Sequence, residues 1–116
     1  MAYEALDFYD IDSLLTDEER MVRDMVRDWV EDRVIPNIED ACREGVFPDE
    51  WRAEIGEMGI LGAPLKGYGC PGLSYTAYGL ICRELERGDS GVRSFASVQG
   101  SLVMYPIWDF GSEEQK

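Results

Sequence analysis

TDEERMVRDMVRDWVEDRV, residues Thr16–Val34, decides the fold class. Thr16 stands three residues before Glu19, so its hydroxyl can accept a backbone N–H while the carboxylate reaches back to the start of the turn. Asp17 and Glu18 complement the positive end of the helix that follows. Met21, Val22, Met25, Val26, Trp29, Val30 and Val34 then recur at three- and four-residue spacing. That period gathers them on one helix face and leaves Arg20, Arg23, Asp24, Arg27, Asp28 and Glu31 on the other. A helix with one apolar face must bury it against other elements.

Downstream, Pro36 interrupts the pattern, and a short helical piece is expected from Ile38 to Arg43, ending at Gly45. Pro48 suits the first position of the next helix, with Trp51, Ile55 and Met58 as its buried stripe and Gly59 as its stop. Residues 60–72 hold four glycines and two prolines, which rule out a regular helix and make a loop. Ser74 can cap a third helix carrying Tyr75, Tyr78, Leu80, Ile81 and Leu85, ending near Gly88. Asp89 and Ser90 begin a fourth, whose apolar residues from Val92 to Trp108 occupy more than one face. It is expected to be the most buried. Gly111 closes it, and Ser112 with Gln115 forms a second capping pair, so the natural chain is expected to continue beyond Lys116. Upstream, Leu6, Phe8, Tyr9, Ile11, Leu14 and Leu15 are available to pack as an arm. No stretch alternates over strand length. The expectation is an all-α bundle of four main helices over residues 16–116, with an amino-terminal arm at 1–15.

The 116 residues suffice for one core. Twenty-four Asp and Glu against 11 Lys and Arg give a net charge of −13, which opposes nucleic acid and anionic membranes as partners. No apolar run reaches the ~20 residues of a membrane-spanning helix. The acidic start resembles neither a secretory signal nor a transit peptide, so the expected location is cytoplasmic. The chain has no histidine, which excludes Ser-His or Cys-His nucleophile machinery. Cys42, Cys70 and Cys82 lack metal-ligand spacing and are read as reduced and structural, with Cys70 the accessible one.

Three stretches could carry chemistry. Lys66–Gly72 is rich in glycine and could cradle phosphate, but it matches no phosphate-loop pattern, and a plain connection fits better. Glu84–Ser94 joins carboxylates, a tight turn and a helix start. Arg93 and Ser94 in that first turn could grip a carboxylate. Alternatively, Arg93 is a surface residue paired with Glu86 or Asp89, and spacing favours that plainer reading. In Phe95–Leu102, Ser97, Gln99, Gly100 and Ser101 cannot all face outward. Gly100 costs up to about 1 kcal/mol inside a helix. A close helix crossing or a ligand near the backbone would compensate.

Glu57–Gly62, Lys66–Gly72, Ala77–Leu80, Arg83–Gly91 and Pro106–Lys116, in that order, resemble the start of the acyl-CoA dehydrogenases. Arg93–Met104 looks specifically like glutaryl-CoA dehydrogenase. The resemblance runs from about residue 14 to the end and covers only the amino-terminal domain. It implies a homotetrameric parent with a middle β-domain and a carboxy-terminal helical domain. It also implies FAD between those two, a catalytic Glu in the last domain, and electron-transfer flavoprotein as acceptor. Glutaryl-type enzymes usually also decarboxylate to crotonyl-CoA. By resemblance Arg93 and Ser94 hold the distal carboxylate of a glutaryl chain, Glu86 orients Arg93, and Ser97 and Val98 line the acyl pocket. The catalytic base has no counterpart here, and Glu84 and Glu86 are not candidates for it. This chain alone is expected neither to hold FAD nor to turn over substrate. The alternatives are a dehydrogenase for another short-chain acyl-CoA and a free-standing helical interaction domain.

Overall fold

A computed structural model describes residues 6–116. Helix α1 (Asp17–Trp29) starts at the expected capping box and runs on as a π-turn, Val30–Val34. After Pro36 come α2 (Ile38–Glu44) and α3 (Asp49–Glu57). The connection that follows contains strands β1 (Lys66–Gly67) and β2 (Cys70–Pro71), then α4 (Tyr75–Gly88). Helix α5 (Ser90–Ser97) continues through a π-helical segment, Val98–Met104, into α6 (Tyr105–Phe110), making one long rod. With α2 as a side piece, these are the four main helices of an all-α domain.

The core lies where α1, the π-turn after it, α3, α4 and α5 meet. Val26, Val30, Val34, Ile55, Ile81, Leu85 and Val92 are each at most 1% exposed. Trp51 lies edge-on to both Trp29 and Phe47, at centroid distances of 6.3 and 5.7 Å. Such pairs add roughly 0.5–1.5 kcal/mol beyond the area they bury. Gly45 and Gly59, at φ 67° and 72°, end α2 and α3 where expected. Ser74 caps α4 by accepting from the Ala77 N–H at 3.0 Å.

Several expectations are corrected. The loop at 60–72 does contain strand pairing: Tyr68 and Gly69 adopt left-handed conformations, φ 55° and 79°, which suit a two-residue hairpin turn between antiparallel strands. Pro48 sits just before α3, as its cap residue, and not at its first position. Met21 and Met25 lie outside the buried stripe of α1. The rod from Ser90 to Phe110 is not the most buried element. Helix α4 is, because it packs against both α1 and α5. The distal half of the rod meets few neighbours, and Leu102 and Phe110 are 69% and 83% exposed. Among the described residues of the arm, only Leu15 is buried, while Leu6, Phe8, Tyr9, Ile11 and Leu14 face solvent. Residues 1–5 lie outside the described ones. The arm is tethered by polar contacts: Arg20 donates to the Asp12 and Leu15 carbonyls at 2.9 and 2.7 Å, and Arg23 pairs with Asp12. All three cysteines are free, but Cys42 is the exposed one, and Cys70 is half-buried. Ser112 and Gln115 form the expected reciprocal capping bonds, at 2.9 and 3.4 Å, around a single turn.

Candidate functional site

The turn between α4 and α5 is one residue long. Asp89 takes an extended conformation, φ −167°, and its Oδ1 accepts from the Gly91 and Val92 N–H groups at 2.7 and 3.1 Å. With Asp89 committed to capping, Arg93 pairs with Glu86. Its Nε donates to Glu86 Oε2 at 2.7 Å, and Nη1 donates to Ser97 Oγ at 3.2 Å. The Ser97 hydroxyl in turn donates to the Ser94 backbone carbonyl at 3.2 Å; the Ser94 hydroxyl itself makes no hydrogen bond to Arg93 among the described residues. The hydroxyl of Ser90 donates to the other oxygen of Glu86, Oε1, at 2.5 Å. The Arg93 side chain is 36% exposed and that of Glu86 47%. Arg93, then Ser90, holds the Glu86 carboxyl below the usual carboxylate range. In return, Glu86 raises the hold of Arg93 on its proton.

These contacts belong to a longer pattern. Tyr78, Cys82 and Glu86 stand four residues apart on α4; Arg93, Ser97 and Ser101 stand four apart on the rod. The rows run antiparallel, with Glu86 meeting Arg93 at one end and Tyr78 meeting Ser101 across 3.1 Å at the other. Burial pushes the Tyr78 phenol and the Cys82 thiol up between them. Glu86, Arg93, Ser97 and Ser101 all lie in stretches the sequence marks as candidates, whereas Tyr78, Cys82 and Ser90 are not marked there as site residues. Matching four-residue spacings on two helices joined by a tight turn were the available signal. Val98 is 48% exposed and belongs to neither row.

Gly100 is buried because the Leu61 carbonyl passes close to it; a Cβ there would lie 2.6 Å from that oxygen. A close crossing therefore accounts for this glycine. Next to it, Tyr75, Tyr78, Ser101 and Tyr105 line a groove of about 190 Å³ with Pro64 and Leu65. The glycine-rich hairpin is fastened to the far end of the rod: the Trp108 indole donates to the Lys66 carbonyl at 2.8 Å, and Tyr68 donates to Glu113 at 2.6 Å.

Glu84 is 1% exposed and takes hydrogen bonds from Arg27, Arg83 and Arg87, the shortest from each at 3.0, 2.9 and 3.1 Å. Burial pushes its carboxyl up, but the three guanidiniums more than reverse this and hold it at about 2. It stays ionised and fully engaged, which suits a structural anchor and not a proton acceptor.

Residues 16–116 match the family described as the acyl-CoA dehydrogenase N-terminal domain. The chain is 36% identical over 105 residues to a probable acyl-CoA dehydrogenase of Bacillus subtilis, covering 88% of this chain and 27% of that protein. It is 32% identical over 103 residues to the mitochondrial short-chain specific acyl-CoA dehydrogenase of Rattus norvegicus, covering 88% and 25%. The chain thus spans about a quarter of the length of these curated relatives. Among solved structures, a glutaryl-CoA dehydrogenase from Mycobacterium smegmatis in complex with FADH2 superposes with a TM-score of 0.91. It shares 50% identity over 96% of this chain and 29% of that one. A second structure of glutaryl-CoA dehydrogenase from the same organism gives 0.87 at 55% identity, over 91% and 28%.

Proposed function

The chain belongs to the acyl-CoA dehydrogenase family as its amino-terminal domain, and from that premise we propose that it is the acyl-pocket wall of a glutaryl-CoA dehydrogenase. The observation that carries this reading is the state of Arg93. A guanidinium has five N–H donors. Nε and one proton of Nη1 are spent on Glu86 and Ser97. Among the described residues, Nη2 and the second Nη1 proton have no partner. The three N–H donors left on the two terminal nitrogens can grip a carboxylate through both oxygens, as the distal end of a glutaryl chain requires. The helix start adds little, since Asp89 already takes its free N–H groups, so the grip rests on the guanidinium. Ser94 and Ser97 flank that end of the chain, Val98 lines its apolar part, and Glu86 orients the cation. The 50–55% identity to glutaryl-CoA dehydrogenases supports the same substrate class.

In this reading residues 16–116 are the domain and 1–15 its arm. The whole enzyme is a cytoplasmic homotetramer that removes an α-proton and a β-hydride and passes electrons to electron-transfer flavoprotein; a grip on the distal carboxylate does not by itself require decarboxylation to crotonyl-CoA. Bound by the whole enzyme, FAD supplies the hydride acceptor. Neither the groove at Tyr78 nor the one of about 480 Å³ lined by Pro106, Ile107, Phe110, Gly111 and Gln115 offers a cation to its pyrophosphate. No residue of this chain is therefore assigned to the flavin.

In the flavin-loaded enzyme, Arg93→Ala should lower kcat/KM for glutaryl-CoA by about 10- to 100-fold, the worth of a charged hydrogen-bonded contact, and that for butyryl-CoA hardly at all. Equal losses on both thioesters would remove Arg93 as the anchor. They would favour the second reading, a dehydrogenase of uncharged short-chain acyl-CoA, which the 32% identity to the rat short-chain enzyme supports.

A further inference from the structure

We propose that Ser97 is a positioning residue for the substrate carboxylate: it sets the orientation of the Arg93 guanidinium and does not bind the substrate itself. The inference deepens, and rests on, the reading of Arg93 as the anchor. A hydroxyl has one proton to donate and two lone pairs that accept. The Ser97 proton goes to the Ser94 backbone carbonyl at 3.2 Å, and a lone pair takes an Arg93 Nη1 proton, also at 3.2 Å. What the hydroxyl has left is its second lone pair. An ionised carboxylate accepts hydrogen bonds and donates none, so that lone pair has nothing to offer it.

The local structure fixes both contacts. Ser97 stands four residues after Arg93 on α5, one turn further and on the same face. Its bond back to the carbonyl of the preceding turn is one that a serine inside a helix makes readily, and it ties the hydroxyl to the backbone. Ser97 thereby offers Nη1 an acceptor held by the rod, while Glu86 offers Nε an acceptor held by α4, at 2.7 Å. The Arg93 side chain is 36% exposed, so packing alone does not immobilise it. A guanidinium is a rigid plane. Held at Nε alone, it can swing about that contact; held at Nη1 as well, it keeps one orientation. The donors that remain on Nη1 and Nη2 are then ordered before the substrate arrives, which favours binding.

The effect belongs to binding and to charged chains only. In the flavin-loaded dehydrogenase carrying this domain, Ser97→Ala should raise KM for glutaryl-CoA by about three- to tenfold, the net contribution of one hydrogen bond, with kcat within about twofold. KM for butyryl-CoA should stay unchanged. Ser97→Thr should restore the glutaryl-CoA KM, because a helical threonine can make the same bond back to the carbonyl. The decisive comparison is a double-mutant cycle. If Ser97 acts only through Arg93, adding Ser97→Ala to Arg93→Ala leaves kcat/KM for glutaryl-CoA within about twofold of Arg93→Ala alone. A further loss as large as in the single variant would make Ser97 a ligand of the substrate and overturn the proposal. An unchanged KM in Ser97→Ala, equal rises for both thioesters, or a folded Ser97→Thr that fails to rescue would overturn it too. Arg93→Ala by itself separates the two claims. If it selectively impairs glutaryl-CoA while Ser97→Ala is silent, only the role of Ser97 falls. If it harms both thioesters alike, the anchor falls and the role of Ser97 with it.

Discussion

Glu84 is the residue on which most charge converges. Its carboxylate is 2% exposed and holds Arg27, Arg83 and Arg87, and Arg87 reaches on to Glu31 at 2.5 Å. The folded value of about 2 lies below the ordinary 4.5. Its contribution is therefore complete above about pH 4.5 and is lost as the pH falls towards 2. At neutral pH the difference is on the order of 3 kcal/mol. Urea titrations should show stability declining across that window, and Glu84→Gln should flatten the decline while lowering stability at pH 7. A variant with the wild-type slope would deny Glu84 this role. At this scale, local spacing was legible: Thr16 with Glu19, Ser74 and Asp89 all cap as their positions suggest. The Glu84 cluster was not, because one of its cations, Arg27, comes from a helix 57 residues away in sequence. Arg93 was legible as a candidate, and its partner was one of the two named.

Among the elements, the rod from Ser90 to Phe110 departs furthest from expectation. Its limits followed from Asp89 and Gly111, but its π-helical middle did not, since no residue in Val98–Met104 compels the wider turn. π-segments inside helices often accompany functional sites, and this one follows directly on Ser97. Gly100 within it lies against the Leu61 carbonyl. Alanine is ordinarily the better helix former, yet Gly100→Ala should destabilise by roughly 1–3 kcal/mol, because backbone yields less readily than a side chain. In a domain of this size, that lowers Tm by several degrees. An unchanged or raised Tm in a thermal melt would mean that the Leu61 loop moves aside at no cost. The sequence marked Gly100 as anomalous but could not name what it met, since the contact is made by a loop 39 residues earlier. The small hairpin escaped notice for a related reason: two-residue strands are too short to alternate.

The whole molecule is a slab, 48 × 41 × 18 Å, with a radius of gyration of 15.1 Å. A compact chain of this length would have one near 13 Å. Its surface of 7656 Å² likewise exceeds the roughly 6400 Å² of a compact monomer of its mass. Part of that surface is apolar: along the rod Val98, Leu102, Ile107 and Phe110 are all exposed. Expressed alone, the chain should self-associate through these exposed apolar residues, more so at high salt as the repulsion of its −13 charge is screened. Sedimentation should show mass rising with concentration, and a Leu102→Asp/Phe110→Asp variant should suppress it. A wild-type chain that stays monomeric at about 100 μM in high salt, a regime where charge repulsion reaches only a few ångströms, would contradict this. The bundle class was legible because its apolar periods are local, whereas the flatness was not, because it depends on which faces find a neighbour. Eighteen ångströms is less than two helix diameters, so the slab can act as a wall but cannot enclose a ligand. Water reaches Arg93 from the open side, and there a charge pair is worth about 1 kcal/mol or less. The same guanidinium gains its full strength only when a second surface closes over it and drives that water out.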